Sequence, residues 1–176
     1  MSFADPRSAM EASPLFANLS TKELDELIAA GYVAEIEPGQ VLMREGEVGD
    51  SASLMLRGAA DVLKKGQDGI DHHWARVNAG EVLGEIGLLL AEERTATVVA
   101  REHVQVLTLT RMALDRLLES GSPAARKLLK TVAVTIARRQ RDTMKRLVGM
   151  LDDASQTTVD MDSLKGDLER ALGIEL

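Results

Sequence analysis

Residues 84–97 read Gly-Glu-Ile-Gly-Leu-Leu-Leu-Ala-Glu-Glu-Arg-Thr-Ala-Thr. An acid, Glu85, and an arginine, Arg94, stand on either side of a short apolar turn, and small residues follow the arginine. Arginine offers a planar fork of N–H donors that matches phosphate oxygens. An ionised glutamate can only accept hydrogen bonds, so Glu85 suits a hydroxyl donor. Gly84 and Gly87 let the backbone turn tightly and approach a ligand closely. The stretch therefore fits a small ligand that carries both a phosphate and a free hydroxyl.

Working outward, the flanks are rich in short strands. Tyr32–Ile36 is strand-like, and Pro38-Gly39 turns the chain into Val41–Met43. The loop Glu45-Gly46-Glu47-Val48-Gly49-Asp50 leads to strand patterns at 53–57 and 60–64, with a turn at Gly58 between them. Gly66-Gln67-Asp68-Gly69 is a hairpin signal before 72–77, and 95–100 and 104–110 complete the set. Closely spaced short strands with glycine-rich turns predict an all-β roll or barrel. Helices flank it. Ser20-Thr21-Lys22-Glu23 is a capping box with Leu19 and Leu24 as its staple, and Gly31 stops that helix. Residues 85–90 predict a single helical turn whose backbone N–H groups face a phosphate. Residues 112–119 form a short helix pattern ended by Gly121, and Pro123 opens a long one.

The segment 84–97 resembles the phosphate-binding cassette of cyclic nucleotide-binding domains, the sensors of catabolite activator-type proteins, cAMP-dependent kinase regulatory subunits and cyclic nucleotide-gated channels. Ser13-Pro14-Leu15-Phe16 through Ser20 is similar to the family's opening, and Glu45–Asp50 followed by Gly58 matches a second signature. The resemblance implies a mainly β fold with flanking helices. Its centre is a jelly-roll-like β-roll (a double-stranded β-helix), with an N-terminal helix, a short cassette helix and a long C-terminal helix. It assigns Glu85 to the ribose 2′-hydroxyl and Arg94 to the cyclic phosphate. Gly84, Ile86, Gly87, Leu88, Thr95 and Ala96 complete the cassette, and Thr143 on the long helix falls near the base. A threonine at 95 goes with tolerance of guanine in this family. The chain departs from the pattern at Glu93, where kinase and channel members carry proline. It departs again at 54–56, which lack the usual aromatic, and at Met144, where a second hydroxyl is expected.

Composition excludes several alternatives. Only 2% of residues are aromatic, so the core is aliphatic and a base-stacking platform for single-stranded nucleic acid is excluded. The net charge of -7 argues against the whole chain binding DNA. With no cysteine there is no disulfide, thiolate zinc site, cysteine-held cluster or thiol nucleophile. His72 and His73 are adjacent on a strand and point to opposite faces, so they cannot share a metal. No Ser–His–Asp set, carboxylate pair or Walker-type loop is present, so neither catalysis nor a metal is expected. No apolar run reaches membrane-span length, and the N-terminus lacks a signal-peptide pattern, which makes the cytoplasm the expected compartment.

The expected organisation is an arm or irregular helix over 1–13, the β-roll domain over 14–122 and a long helix over 123–154. An acidic tail with a short amphipathic helix follows over 155–176. On the long helix Ala133, Ile136, Gln140, Thr143, Leu147, Met150 and Ala154 make a heptad seam with polar members, which predicts a homodimer. A helix packed back on its own roll is the alternative. The tail's Leu164, Leu168 and Leu172 are expected to dock on the roll or on a partner. The tail is too short for a helix-turn-helix, so no DNA is expected. The whole points to a cyclic nucleotide sensor with cAMP as ligand, cGMP as alternative, and an unidentified downstream partner. A degenerate, nucleotide-free dimeric interaction module is the competing expectation.

Overall fold

The computed structural model describes residues 5–157, with side chains described as far as Leu151. The chain divides into two compact units, Met1–Val134 and Thr135–Leu176. The first holds every strand among the described residues, together with the helices that flank them.

Residues 6–12, within the stretch read as an arm or irregular helix, form α1 (Pro6–Ala12). Asp5 caps it by accepting from the Ser8 N–H, and Pro6 sits at the tolerated first position. Burial of Met10 anchors it. A 3-10 turn over Pro14–Phe16 leads to α2 (Thr21–Ala30). There the Glu23 carboxylate accepts from the Ser20 N–H at 2.7 Å, which closes the box legible in the sequence.

The strands are β1 (Tyr32–Ile36), β2 (Val41–Met43), β3 (Ser51–Arg57), β4 (Ala59–Lys65), β5 (Asp71–Asn78), β6 (Val82–Leu83), β7 (Thr97–Ala100) and β8 (Val104–Thr110). They form two antiparallel four-stranded sheets, ordered β1-β8-β3-β6 and β2-β7-β4-β5. Because side chains alternate across a strand, one face of each sheet supplies a common core. Met43, Met55, Ala60, Val77, Val98, Ala100, Val104 and Val106 form it, with methionine and valine in place of aromatics. The fold is the mainly β roll the sequence implied. Two details differ. The two-residue β6 was too short to carry a pattern. Strand β7 starts at Thr97 rather than Thr95, because Arg94 is tied to the 46–47 loop and the Thr95 carbonyl accepts from Lys64 Nζ at 2.6 Å.

Between β6 and β7 lies α3 (Glu85–Leu90). After β8 come α4 (Arg111–Glu119), capped by the Thr110 hydroxyl, and α5 (Pro123–Thr157). The helix α5 continues a little beyond the 154 expected. The amphipathic tail segment lies outside the described residues.

Candidate functional site

The loop 45–50 and the stretch 92–94 are laced together through the backbone. The Gly46 N–H donates to the Arg94 carbonyl at 2.9 Å, the Arg94 N–H to that of Glu47 at 2.8 Å, and the Gly49 N–H to that of Glu92 at 3.0 Å. Two motifs that are 40-odd residues apart in sequence therefore meet at one place, and Arg94 emerges at the junction.

The Arg94 side chain is partly buried against a floor of glycines. A Cβ at Gly49 would run into its Nε and guanidinium carbon, and one at Gly87 would lie 2.7 Å from Nη1 and 2.9 Å from the Gly49 carbonyl oxygen. Gly84 adopts a left-handed conformation, φ 75°, that only glycine takes freely. These glycines therefore make room for the guanidinium itself. Arg94 Nη1 donates to the Ser51 carbonyl at 2.8 Å and to that of Gly84 at 3.1 Å, and Nη2 donates to Ser51 Oγ at 3.0 Å. An arginine has five donors. Among the described residues these bonds leave Nε–H and one Nη2–H, a pair that shares one edge of the plane and matches two oxygens of an anion.

Burial pulls the Arg94 pKa below its ordinary value, and the charges of Asp50 and Glu85 pull it back up. The group stays cationic at any physiological pH. A partly desolvated cation of this kind favours an anionic ligand, because the low local dielectric strengthens their attraction.

Glu85 opens α3 and is buried, 5% exposed, in the first turn. Gly87 and Leu88 are buried beside it, while Ile86 is half-buried. Leu88 lines an apolar cavity of about 40 Å³ with Met10, Phe16, Leu27, Leu128 and Val132. Through Leu88 the short helix borders the N-terminal helices and the base of α5. It ends at Ala91, which is left-handed at φ 52°, the one non-glycine residue with positive φ among those described. Thr95 is exposed and Ala96 half-buried in the bend before β7. Thr143 is exposed on the distal part of α5, in the second unit.

Ser51, Gly49 and Asp50 were not singled out from the sequence as site residues. The 45–50 signature was visible, but its role in holding Arg94 depends on a long-range pairing. The histidines are each engaged separately: His72 with Asp68, His73 with Asp61 and His103 with Glu35 and Glu37. No group of three His, Asp or Glu among the described residues could hold a metal ion. No helix among them is long and apolar enough to cross a membrane.

Residues 33–120, half of the 176-residue chain, match the family model of the cyclic nucleotide-binding domain. The chain belongs to that family. Its cyclic nucleotide-binding domain is 36% identical over 105 residues to a cAMP-dependent protein kinase regulatory subunit from Yarrowia lipolytica, covering 60% of this chain and 27% of that one. It is 32% identical over 117 residues to a cGMP-dependent protein kinase from Eimeria tenella, covering 66% and 11% of the two chains. A solved cyclic nucleotide-binding domain from Methylobacillus flagellatus superimposes with a TM-score of 0.74 at 25% identity, over 82% of each chain. The chain thus spans a third or less of the length of the curated relatives it matches. The cyclic nucleotide-binding domain here is a β-roll with the short helix α3 between β6 and β7.

Proposed function

We propose that this protein is a sensor for a cyclic nucleotide, with cAMP as its ligand. The observation that carries this is the Arg94 guanidinium, seated on glycines and oriented by Ser51 with one edge of its donor fork left over, near the buried Glu85. In this reading Arg94 takes the cyclic phosphate and Glu85 accepts from the ribose 2′-hydroxyl. Gly84, Ile86, Gly87 and Leu88 shape the cassette around them. Thr95 and Ala96 border the phosphate, and Thr143 serves the base. The similarity to a cAMP-dependent kinase regulatory subunit supports cAMP. The exposed Thr95 beside Arg94, together with the similarity to a cGMP-dependent kinase, favours cGMP as the second reading.

The signal is a population shift. A ligand can bias a conformational equilibrium only through contacts that differ between the two states. Tightening of α3 on the phosphate moves Leu88, and Leu88 borders Leu128 and Val132 at the base of α5. The C-terminal helices then move against the roll and hand the change to a partner protein. The heptad seam on α5 makes the sensor a homodimer. Neither DNA nor a membrane has a part in this reading, and the chain itself is not an enzyme. The setting in this reading is the cytoplasm.

Thermal melting with cAMP, cGMP and 5′-AMP tests the proposal. A ligand at about a hundred times its Kd adds roughly 2.7 kcal/mol of stability. The expected result is a clear upward shift with cAMP, a smaller one with cGMP, none with 5′-AMP, and no shift in Arg94→Ala. Melting that no cyclic nucleotide changes would leave a nucleotide-free interaction module.

A further inference from the structure

At Thr95 the chain passes from one backbone pairing to another. Arg94, just before it, exchanges backbone bonds with Gly46 and Glu47 of the 45–50 loop. Thr97, two residues later, is paired with Leu63 on β4. Thr95 itself is exposed and lies before the start of β7. A side chain holds it. Lys64, the residue after Leu63 on β4, donates from Nζ to the Thr95 carbonyl at 2.6 Å.

Lys64 is held in turn. Its Nζ also donates to Glu45 Oε1 at 3.3 Å. The second oxygen of that carboxylate accepts from the Lys65 N–H at 2.9 Å, and the Glu45 N–H donates to Thr97 Oγ1 at 3.0 Å. One residue therefore joins the loop, the end of β4 and the start of β7. The Lys65 N–H first, and then the Lys64 ammonium, hold the Glu45 carboxyl below its ordinary pKa, so it is ionised at neutral pH. With the Glu45 side chain 28% exposed and bonded on both oxygens, this differs from the freely solvated ion pair that contributes little.

We propose that Lys64 is a positioning residue for the anion site: it fixes the peptide that follows Arg94, and so the direction from which Arg94 meets a phosphate. A peptide unit is planar. Holding the Thr95 carbonyl therefore also sets the Ala96 N–H at the other end of the same unit, and it restrains the backbone that carries Arg94. The guanidinium is held at its far end by Ser51 and Gly84. Lys64 holds the near end of the same stretch, and Glu45 aims Lys64. Through these two side chains the β4–β5 hairpin bears on the site. Donors fixed before a ligand arrives lose less freedom when it binds, which tightens the complex. The inference rests on the reading of Arg94 as the group that takes the phosphate.

Two variants of the full chain test it. Lys64→Met keeps the stem and removes the ammonium. Lys65→Met removes the same charge from the next residue, which is exposed and on the opposite face of the strand. In the nucleotide-free protein, NMR reads the Thr95 carbonyl carbon, which moves upfield when its hydrogen bond is lost. The expected result is that shift in Lys64→Met and none in Lys65→Met. Titration calorimetry with cAMP and with cGMP reads the consequence. Binding should weaken roughly threefold to tenfold in Lys64→Met, the scale of one bond to a charged group, and stay at the wild-type value in Lys65→Met. The loss should persist at about 0.3 M salt, where screening weakens a purely long-range attraction. An unmoved Thr95 carbonyl or wild-type affinity in Lys64→Met overturns the inference. An equal loss in both variants, or a loss that vanishes at the higher salt, overturns it too, because either marks attraction by charge alone. A wild type that binds neither nucleotide overturns the reading beneath it, and that result is recognised without any variant.

Discussion

Arg94 reaches from the segment between α3 and β7 to Ser51 on β3, donating to the Ser51 carbonyl at 2.8 Å and to its hydroxyl at 3.0 Å. The protein's own oxygens thus set the direction of the cation. A charge oriented by its surroundings needs no reorganisation to meet an anion, and this raises its contribution to binding.

Arg94→Ala should cost about 3–5 kcal/mol of cyclic nucleotide affinity, the usual penalty for removing one member of a desolvated charge pair. Arg94→Lys keeps the charge but loses the fork, so it should still weaken binding more than tenfold. Ser51→Ala removes one bond to a charged group, worth about 1.5–3 kcal/mol when fully expressed, and should weaken binding by roughly tenfold. Titration calorimetry on the three variants gives the ranking. Wild-type affinity in Arg94→Ala would remove this residue from the site.

Gly49 touches Arg94 without being on its element. A methyl group there collides with Nε and the guanidinium carbon. Gly49→Ala should therefore lower nucleotide affinity by at least tenfold, while circular dichroism still reports a folded roll. Gly39→Ala makes a useful comparison: no atom lies within 4 Å of an added Cβ, and its φ of 82° confines the harm to local backbone strain. Equal affinities for the two variants would contradict the arrangement described.

Ala91 closes α3 in a left-handed conformation, with its N–H donating to the Gly87 carbonyl at 3.0 Å. That conformation costs an L-residue about 1–2 kcal/mol, partly offset by the extra freedom a glycine has in the unfolded chain. Ala91→Gly should raise stability by roughly 0.5–1 kcal/mol in urea unfolding. A loss of stability would mean that the alanine methyl contributes packing that outweighs the strain.

Glu23 on α2 meets Lys127 on α5 at 2.7 Å and also accepts from the Ser20 N–H. The Lys127 hydrogen bond first, then the Ser20 N–H, lower its pKa from 4.5 to about 2. A carboxylate whose folded pKa is depressed stabilises the fold above its unfolded pKa and loses that contribution as the pH falls through the folded value. Stability should therefore decline between pH 4.5 and pH 2, and Glu23→Gln should flatten the melting curve in that window. Above pH 5 the wild type should melt higher than the variant. A parallel pH dependence in both proteins would show that the pair does not couple α2 to α5.

Local chemistry made much of this molecule legible in advance. The capping box at Ser20, the helix start at Pro123 and most strands follow from patterns confined to a few neighbouring residues. Each such pattern satisfies its own backbone groups or turns one apolar face to the core. Strand β6 escaped notice because two residues carry no period, and its pairing partner on β3 is about thirty residues away.

The amino-acid order alone determined that an acid and an arginine would flank one apolar turn, since their spacing within a single segment is a property of the chain. The tertiary structure alone decided what holds that arginine. Gly49 comes from the 45–50 loop and Ser51 from the start of β3 just after it, and the loop reaches Arg94 through backbone pairing between residues 46–49 and 92–94. Partners of that kind are chosen by the register of distant strands, and register depends on which faces the whole sheet buries.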